Sequence, residues 1–598
     1  MSKQDQPTNH EGAEINCGSP GGEFNPKVSA AKLLFTGALA SDNLLPFPHI
    51  SKAEAETLGM VVDSIEKFMA PKAEQHREYD RAGAQPSEYI EALKELGLFG
   101  LIIPEEFGGI GLSNSGYSRA LQQSSRYDGS TSLTIGAHSS IGMKGILLFG
   151  TADQKQRYLP KLATGEYIAA FCLTEPGSGS DAASIKTSAR QNPDGSWTLS
   201  GEKIWITNGA FADVFTVFAR TDGEEGRLTA FIVERDFAGV SNGPKEDKLG
   251  IRASATTTVS FNEVRVPAEN LLGEAGKGFK IAMSILNNGR TGLGGGCVGA
   301  MKRLIELATQ QATERKQFGR SISEFALMKD KIAQMTLACF AAESIVQVVA
   351  SAVDRGHEDY SVEAAISKVF ASEALWMCAN EALQIAGGNG YMKDFPYERY
   401  MRDSRINMIF EGTNEILRLY IGLSGMKDAG EELKEIGRSA GKIFNDPIKG
   451  FGVLGSYAAK RISRIAPVGR DKIEVAEPLR EAAGTIERYT SLFGGAVEAT
   501  LRKYGKDIVG TQLVTRRIAD VAIDLYIGLC IVARVQTMIA EKGAGDCKQE
   551  IAMATMFTRA AKRRMTQNIR RLERNEDEQT LGLASHILSL GKYPWDVF

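Results

Sequence analysis

Apolar residues recur at three- and four-residue spacing over 55–68 and 87–98. That is the period of a helix with one buried face, and it predicts helices in both places. The run Pro104-Glu-Glu-Phe-Gly-Gly then breaks the pattern. From about 169 to 272 the character changes. Residues 198–207, 214–219, 229–234 and 257–266 are strand-like, separated by Asp-Gly and Gly-rich turns. Helical spacing returns between 278 and 424, over 298–313, 326–355 and 362–386, lengths that suit a four-helix bundle. After Gly425 a looser stretch mixes Gly, Pro and basic residues, including KRISRIAPVGRDK from Lys460. Residues 476–503, 512–541 and 547–574 then predict a second bundle of long helices.

Strands and helices are segregated rather than alternating, which argues against a Rossmann sheet. The Gly-rich elements do not follow the first strand of a βαβ unit, so a nicotinamide fingerprint is absent. The expected fold class is mainly α with an inserted antiparallel β domain. The pattern divides the chain into a flexible tail (1–42), a helical domain (43–168), a middle β domain (169–277), a four-helix bundle (278–425), a linker with a basic segment (426–475) and a C-terminal helical domain (476–598). The tail is rich in Gly, Pro and polar residues, with an apolar patch at 30–39. GGEF at 21–24 matches a nucleotide-cyclase signature, but no such domain surrounds it and we read it as coincidence.

Composition narrows the function class. At 598 residues the chain needs several packed units. Its formal net charge of −3 gives no global attraction to nucleic acid, so any basic surface is local. No apolar run approaches the roughly 20 residues of a membrane span. The N-terminus has no h-region, so secretion is not expected. No arginine precedes Arg77, which argues against an uncleaved transit peptide. Seven scattered cysteines without CxxC indicate buried free thiols in a reducing compartment. Six dispersed histidines give no metal cluster.

Five blocks carry candidate chemistry. MIFEGTNEIL (408–417) places Glu411 between Phe410 and Gly412. Removing a proton beside a carbonyl needs one desolvated base with close backbone approach on one side. Taken alone, a Glu-Gly pair is more often a helix end or turn. CLTEPGSGSD (172–181) offers tight turns at Gly177 and Gly179 and hydroxyls at Thr174, Ser178 and Ser180. Such a loop binds a flavin edge or a phosphate, or is an ordinary polar turn. WITNG (205–209) supplies an indole at Trp205 and a hydroxyl at Thr207. The indole is suited to stacking on a flat cofactor, although a lone strand Trp is more often core. ERKQFG (314–319) supplies Arg315 and Phe318 in a turn between helices, for pyrophosphate or for a surface ion pair. In LQIAGGNG (383–390), Gln384, Gly387 and Gly388 either let backbone approach a cofactor or end a helix.

Together these blocks resemble the acyl-CoA dehydrogenase family of flavoenzymes, from about 47 to 425. The rest of the chain resembles the helical extension of the very-long-chain acyl-CoA dehydrogenases and of acyl-CoA dehydrogenase family member nine. The resemblance implies a helical N-domain, a β-barrel-like middle domain, a four-helix bundle and a C-terminal helical bundle, with FAD as cofactor. Phe171, Leu173, Thr174, Gly179, Ser180, Trp205, Ile206 and Thr207 then belong to the flavin site. Arg315, with Phe318 and Phe325 beside it, reaches the FAD of the partner subunit at its pyrophosphate. Gln384, Gly387 and Gly388 lie against FAD across the dimer, and Thr413 and Glu415 near its adenine. A homodimer is therefore implied.

By the same resemblance Glu411 removes the pro-R α-proton of an acyl-CoA thioester, and the β-hydride goes to flavin N5. The thioester carbonyl is polarised by a ribityl hydroxyl and by the backbone N–H of the base. A subset of the family carries its base immediately before an arginine; here that place reads LNNGR (286–290), with Gly289 unable to serve. Ser180, Asn287, Arg290 and Gly412 match substrate-side positions. Ser132 and Gly136, with Ala137, match the helix that closes the acyl pocket, and their small size implies a deeper tunnel for long chains.

The implied function is dehydrogenation of long- or very-long-chain acyl-CoA in fatty-acid β-oxidation, with electron-transfer flavoprotein as acceptor. Location is then cytoplasmic in a bacterium, or the mitochondrial matrix and inner-membrane face. The basic residues Lys460, Arg461, Arg464, Arg470 and Lys472 are either a peripheral membrane contact or a solvated loop. Two other readings stay open: an acyl-CoA oxidase, and a respiratory complex I assembly scaffold that keeps the fold. A nitroalkane-type oxidase is disfavoured, because such enzymes place an aspartate where Glu411 stands.

Overall fold

The computed structural model describes residues 26–221, 226–441 and 472–597. Eight helices come first: α1 (Ala30–Leu34), α2 (Lys52–Met69), α3 (Ala73–Ala82), α4 (Ser87–Glu95), α5 (Asn114–Ser125), α6 (Gly129–Gly136), α7 (Lys144–Phe149) and α8 (Ala152–Thr164). Their starts are written locally. Ser51 caps α2 by accepting from Glu54 N, and Thr151 with Gln154 forms a reciprocal capping box on α8.

The middle domain holds β1 (Ala169–Cys172), β2 (Ser188–Gln191), β3 (Trp197–Thr207), β4 (Val214–Thr221), β5 (Leu228–Glu234), β6 (Val240–Asn242), β7 (Thr256–Val266) and β8 (Leu271–Leu272). The order is β6-β7-β3-β2-β4-β5-β8, with β1 paired to β4. The expectation of an antiparallel domain is corrected here, because β1 and β2 both run parallel to β4. β5 occupies one edge of β4 along its whole length, so β1 and β2 share the other edge in tandem. The chain between them, 173–187, has no place in the sheet and loops out. That loop carries TEPGSGSD.

Beyond the sheet come α9 (Gly278–Glu314), a short hairpin β9–β10 (Lys316–Gln317 and Arg320–Ser321), α10 (Ala326–Asp354), α11 (Ser361–Ala386), α12 (Gly388–Tyr391), α13 (Tyr397–Arg405) and α14 (Asn414–Gly441). α15 (Arg480–Tyr504), α16 (Gln512–Lys542), α17 (Lys548–Arg570) and α18 (Asp577–Leu590) follow. The segment 298–313 is only the second half of α9, since its glycine-rich first half hides the apolar period. α10 has the length and hydropathy of a membrane span, contrary to the reading that no run does, but most of it is buried inside the fold as a core helix.

One boundary differs from the pattern-based division. Residues 30–42 are not a free tail: Leu34 and Phe35 are fully buried, and the Phe35 ring meets that of Phe493 edge-on at 5.0 Å. Ser29 Oγ donates to Glu363 Oε1 at 2.6 Å, fixing the start of α1. The C-terminal helices share a core with the first bundle. Ile518, Val521 and Leu525 of α16 belong to one apolar cluster with Ile345 of α10, Val369 of α11 and Ile421 of α14. The GGEF run and most of the basic segment from Lys460 lie outside the described residues.

Candidate active site

Glu411 follows a short helical turn at Ile406–Met408 and precedes α14. Its φ is 55° and that of Gly412 is 93°. A glutamate in the left-handed region is strained, and such strain persists only where surroundings impose it. Lys368 of α11 supplies part of that constraint. It is 0% exposed, and its Nζ donates to Gly412 O at 2.7 Å and to Asn414 Oδ1 at 2.9 Å.

Arg290 of α9 lies on the other side. Its Nη1 donates to Asn287 Oδ1 at 2.6 Å and its Nε to the Glu411 carbonyl at 3.4 Å. The Glu411 carboxylate faces Gly289, where a Cβ would stand 3.1 Å from Oε1 and 3.4 Å from Oε2. Oε2 is shielded from solvent and has no hydrogen-bond partner. Burial raises the Glu411 pKa to about 7, with the Arg290 and Lys368 cations opposing the shift. A carboxylate of that basicity can take a proton at neutral pH. The Glu411 N–H has no acceptor among the described residues.

This carboxylate opens on a cavity of about 400 Å³ between α6, α9, the β domain and the 406–420 segment. Its lining brings together Phe171, Leu173, Thr174, Gly179, Ser180, Trp205, Ile206, Thr207, Ser132, Gly136, Asn287, Arg290, Glu411 and Gly412. Trp205 is 64% exposed rather than core, at φ 57°. Its indole and the loop 173–181 make an open cradle: a Cβ on Gly179 would touch nothing within 4 Å. The loop is pinned from below. Lys203 and Glu175 form a buried ion pair at 2.7 Å, Lys203 Nζ also reaches Leu173 O, and Glu175 accepts from the N–H groups of Lys186 and Thr187. These residues fit a flat, apolar-faced ring such as that of FAD, with hydroxyls at Thr174, Ser180 and Thr207 along its edge.

Arg315, Phe318, Phe325, Gln384, Gly387, Gly388, Thr413 and Glu415 do not line this cavity. Phe318 sits in the β9–β10 hairpin at φ 54° and is 92% exposed. Arg315, Gln384, Gly387 and Gly388 are exposed as well. The cavity of one chain therefore contains the first set of expected residues and not the second.

The sequence reading missed three groups. Asp403 lines the cavity, and burial raises its pKa to about 7 against the pull of Arg399 and of the Ile251 N–H. Its signal was an acid eight residues before Glu411, just upstream of the block 408–417. Lys368 and Asn414 hold the base from behind; a lysine within the apolar run AAISKVF was the visible sign. No group of three metal-ligating side chains occurs among the described residues.

Known proteins resemble this chain over most of its length. Residues 55–166, 170–264 and 276–425 match the N-terminal, middle and C-terminal domains of acyl-CoA dehydrogenase, and 477–590 match the ACAD9/ACADV C-terminal domain. The chain is 43% identical over 559 residues to the very long-chain specific acyl-CoA dehydrogenase of Bos taurus, covering 92% of this chain and 84% of that protein. It is 44% identical over 525 residues to the Homo sapiens enzyme of the same name, covering 85% and 79%. A Bacillus anthracis acyl-CoA dehydrogenase solved with FAD superposes with a TM-score of 0.77 at 35% identity, covering 94% of this chain and 96% of that one. Butyryl-CoA dehydrogenase of Megasphaera elsdenii gives 0.60 at 38% identity, covering 63% and 99%. The chain belongs to the acyl-CoA dehydrogenase family, and its C-terminal helices match the domain that ACAD9 and ACADV share.

Proposed function

We propose that the chain dehydrogenates long- or very-long-chain acyl-CoA to trans-2-enoyl-CoA with FAD, and that Glu411 is the base. The observation that carries this reading is the shielded, unpartnered Oε2 of the Glu411 carboxylate, which faces a cavity walled by the Trp205 cradle. Water exclusion keeps the carboxylate basic near neutral pH, and the unpaired Glu411 N–H supplies a donor for the thioester oxygen. Arg290 holds the Glu411 carbonyl and Asn287 together, fixing the base relative to α9. FAD, when bound, supplies the acceptor for the β-hydrogen. Thr174, Ser180, Trp205 and Thr207 would hold its ring.

The acyl end of the cavity is lined by small residues. Ser132, Gly136 and Ala137 line it together with Gly292 and Gly296 of α9, and a Cβ on Gly296 would stand 3.8 Å from Ser132 Oγ. Each methylene housed there contributes about 0.8 kcal/mol, which favours long chains. The exposed set around Arg315, Phe318 and Gly387 supports a dimer in which each chain completes its partner's cofactor site. Electron-transfer flavoprotein is the acceptor this reading implies.

The test is a chain-length series of acyl-CoA substrates with a ferrocenium acceptor, comparing wild type with Glu411→Gln. The variant should keep its yellow flavin and lose turnover. Undiminished turnover would remove the base assignment, and preference for butyryl-CoA would remove the long-chain one.

A further inference from the structure

A continuous polar chain joins the turn holding Glu411 to the C-terminal extension. Lys368 Nζ donates to Gly412 O and Asn414 Oδ1. Asn414 Nδ2 passes the link on, donating to Ser372 Oγ at 3.0 Å and to Glu373 Oε1 at 3.1 Å. Glu373 receives both terminal nitrogens of Arg418, at 2.6 and 2.9 Å. The third guanidinium donor, Arg418 Nε, reaches Asp520 Oδ1 of α16 at 2.7 Å. Three helices thus meet in one charged lattice: α11 through Lys368 and Glu373, α14 through Asn414 and Arg418, α16 through Asp520.

The geometry points to Asp520 as a positioning residue for Glu411, a role that rests on the reading of Glu411 as the base. A guanidinium is a rigid planar fork. Held on one edge by Glu373 and at Nε by Asp520, it has no free rotation, so the Glu373 carboxylate is fixed where Asn414 can use it. Asn414 is 2% exposed and its carboxamide is oriented by this contact, which leaves Oδ1 turned to Lys368. Lys368 then holds the Gly412 carbonyl, one residue from a glutamate in a strained conformation. Remove Asp520 and the Arg418 fork has one anchor instead of two. The looseness passes along a chain whose every member is hydrogen-bonded to the next. A base displaced by about an ångström loses on the order of a hundredfold in rate, so partial loosening reads out in kcat.

The extension therefore has a catalytic consequence although, among the described residues, the cavity lining takes no residue from it. Among the described residues the other ion-pair partner of Asp520 is Arg516, an exposed i,i+4 neighbour at 4.0 Å that is too far to replace the Arg418 contact.

The experiment uses full-length FAD-loaded protein with palmitoyl-CoA and a ferrocenium acceptor. Asp520→Ala should lower kcat about tenfold, leave KM within twofold and move the pH inflection of kcat/KM. Asp520→Asn, which keeps an acceptor for Arg418 Nε, should recover most of the loss. Arg564→Ala is the control: it breaks the Arg564–Asp524 pair in the same extension and should lower stability without changing kcat. Wild-type kcat in Asp520→Ala, or an equal drop in Arg564→Ala, overturns the proposal. If Asp520→Ala does not fold, Asp520→Leu takes its place under the same criteria. Glu411→Gln is measured alongside. Turnover retained there would instead sink the base assignment, which keeps the two failures distinct.

Discussion

A Cβ placed on Gly289 would lie 3.1 Å from Glu411 Oε1 and 2.8 Å from Ile141 Cγ2. The carboxylate thus occupies space that a side chain at this position would claim. Gly289 sits inside α9 with ordinary helical φ, so its smallness answers to packing and not to backbone strain.

It follows that Gly289→Ala should fold, since alanine favours the helix, and should push the carboxylate out of place. We expect kcat to fall by about 10- to 100-fold, with flavin content unchanged. Steady-state kinetics together with flavin absorbance per chain checks this.

The Glu411 pKa of about 7 sets a pH profile. A base must be unprotonated, so kcat/KM should fall about tenfold per pH unit below that value and level off above it. Burial is the leading cause of the shift, with Arg290 and Lys368 opposing it. Lys368→Met removes one opposing cation and should move the inflection upward. A downward move would contradict the assigned cause.

Trp205 spends backbone strain to present its indole, at φ 57° and 64% exposed. If that face stacks on the flavin, Trp205→Ala should weaken FAD binding about tenfold, the scale of one aromatic contact. Flavin released on dilution, followed by fluorescence, measures it. Tight retention would show that the indole serves another surface.

Much of this site was legible because its residues cluster in short blocks whose chemistry is local. Strands β3, β4, β5 and β7 were readable within two residues, since their alternation or apolar runs are long. The four-residue strands β1 and β2 were not, and with them went the parallel pairing that throws the 173–187 loop out of the sheet. Lys368 stood out as a lysine inside the apolar run AAISKVF, but nothing local in the sequence tied it to the base. Its acceptors, Gly412 and Asn414, lie more than forty positions away in the sequence. The apolar patch at 30–39 was visible, but its receiving surface is built from helices hundreds of residues later.

Asp403 gives a stability prediction. Its folded pKa is raised to about 7, chiefly by burial. Between about pH 4 and pH 7 the folded state therefore binds more protons than the unfolded chain, and stability falls as pH rises through that window. Asp403→Asn keeps an oxygen to accept from the Ile251 N–H, a contact of 2.5 Å, and carries no charge to desolvate. Its Tm should exceed that of wild type at pH 8 and approach it near pH 4. A difference that does not change with pH would argue against the titration.

The segment before α2 behaves as part of the C-terminal core. Phe35 is 0% exposed, and a Cβ on Gly425 of α14 would come within 2.3 Å of its ring. The absence of a side chain at Gly425 is what lets the ring in, and Phe493 of α15 closes over it. Phe35→Ala should cost about 3–5 kcal/mol, the range for emptying a buried aromatic site. Because the pocket is walled by α14 and α15, the loss should appear first as faster amide exchange in those helices and not in the β domain. Chemical denaturation with mass-resolved hydrogen exchange tests both parts. Exchange unchanged in α14 and α15 would mean that the N-terminal segment rests on the core without supporting it.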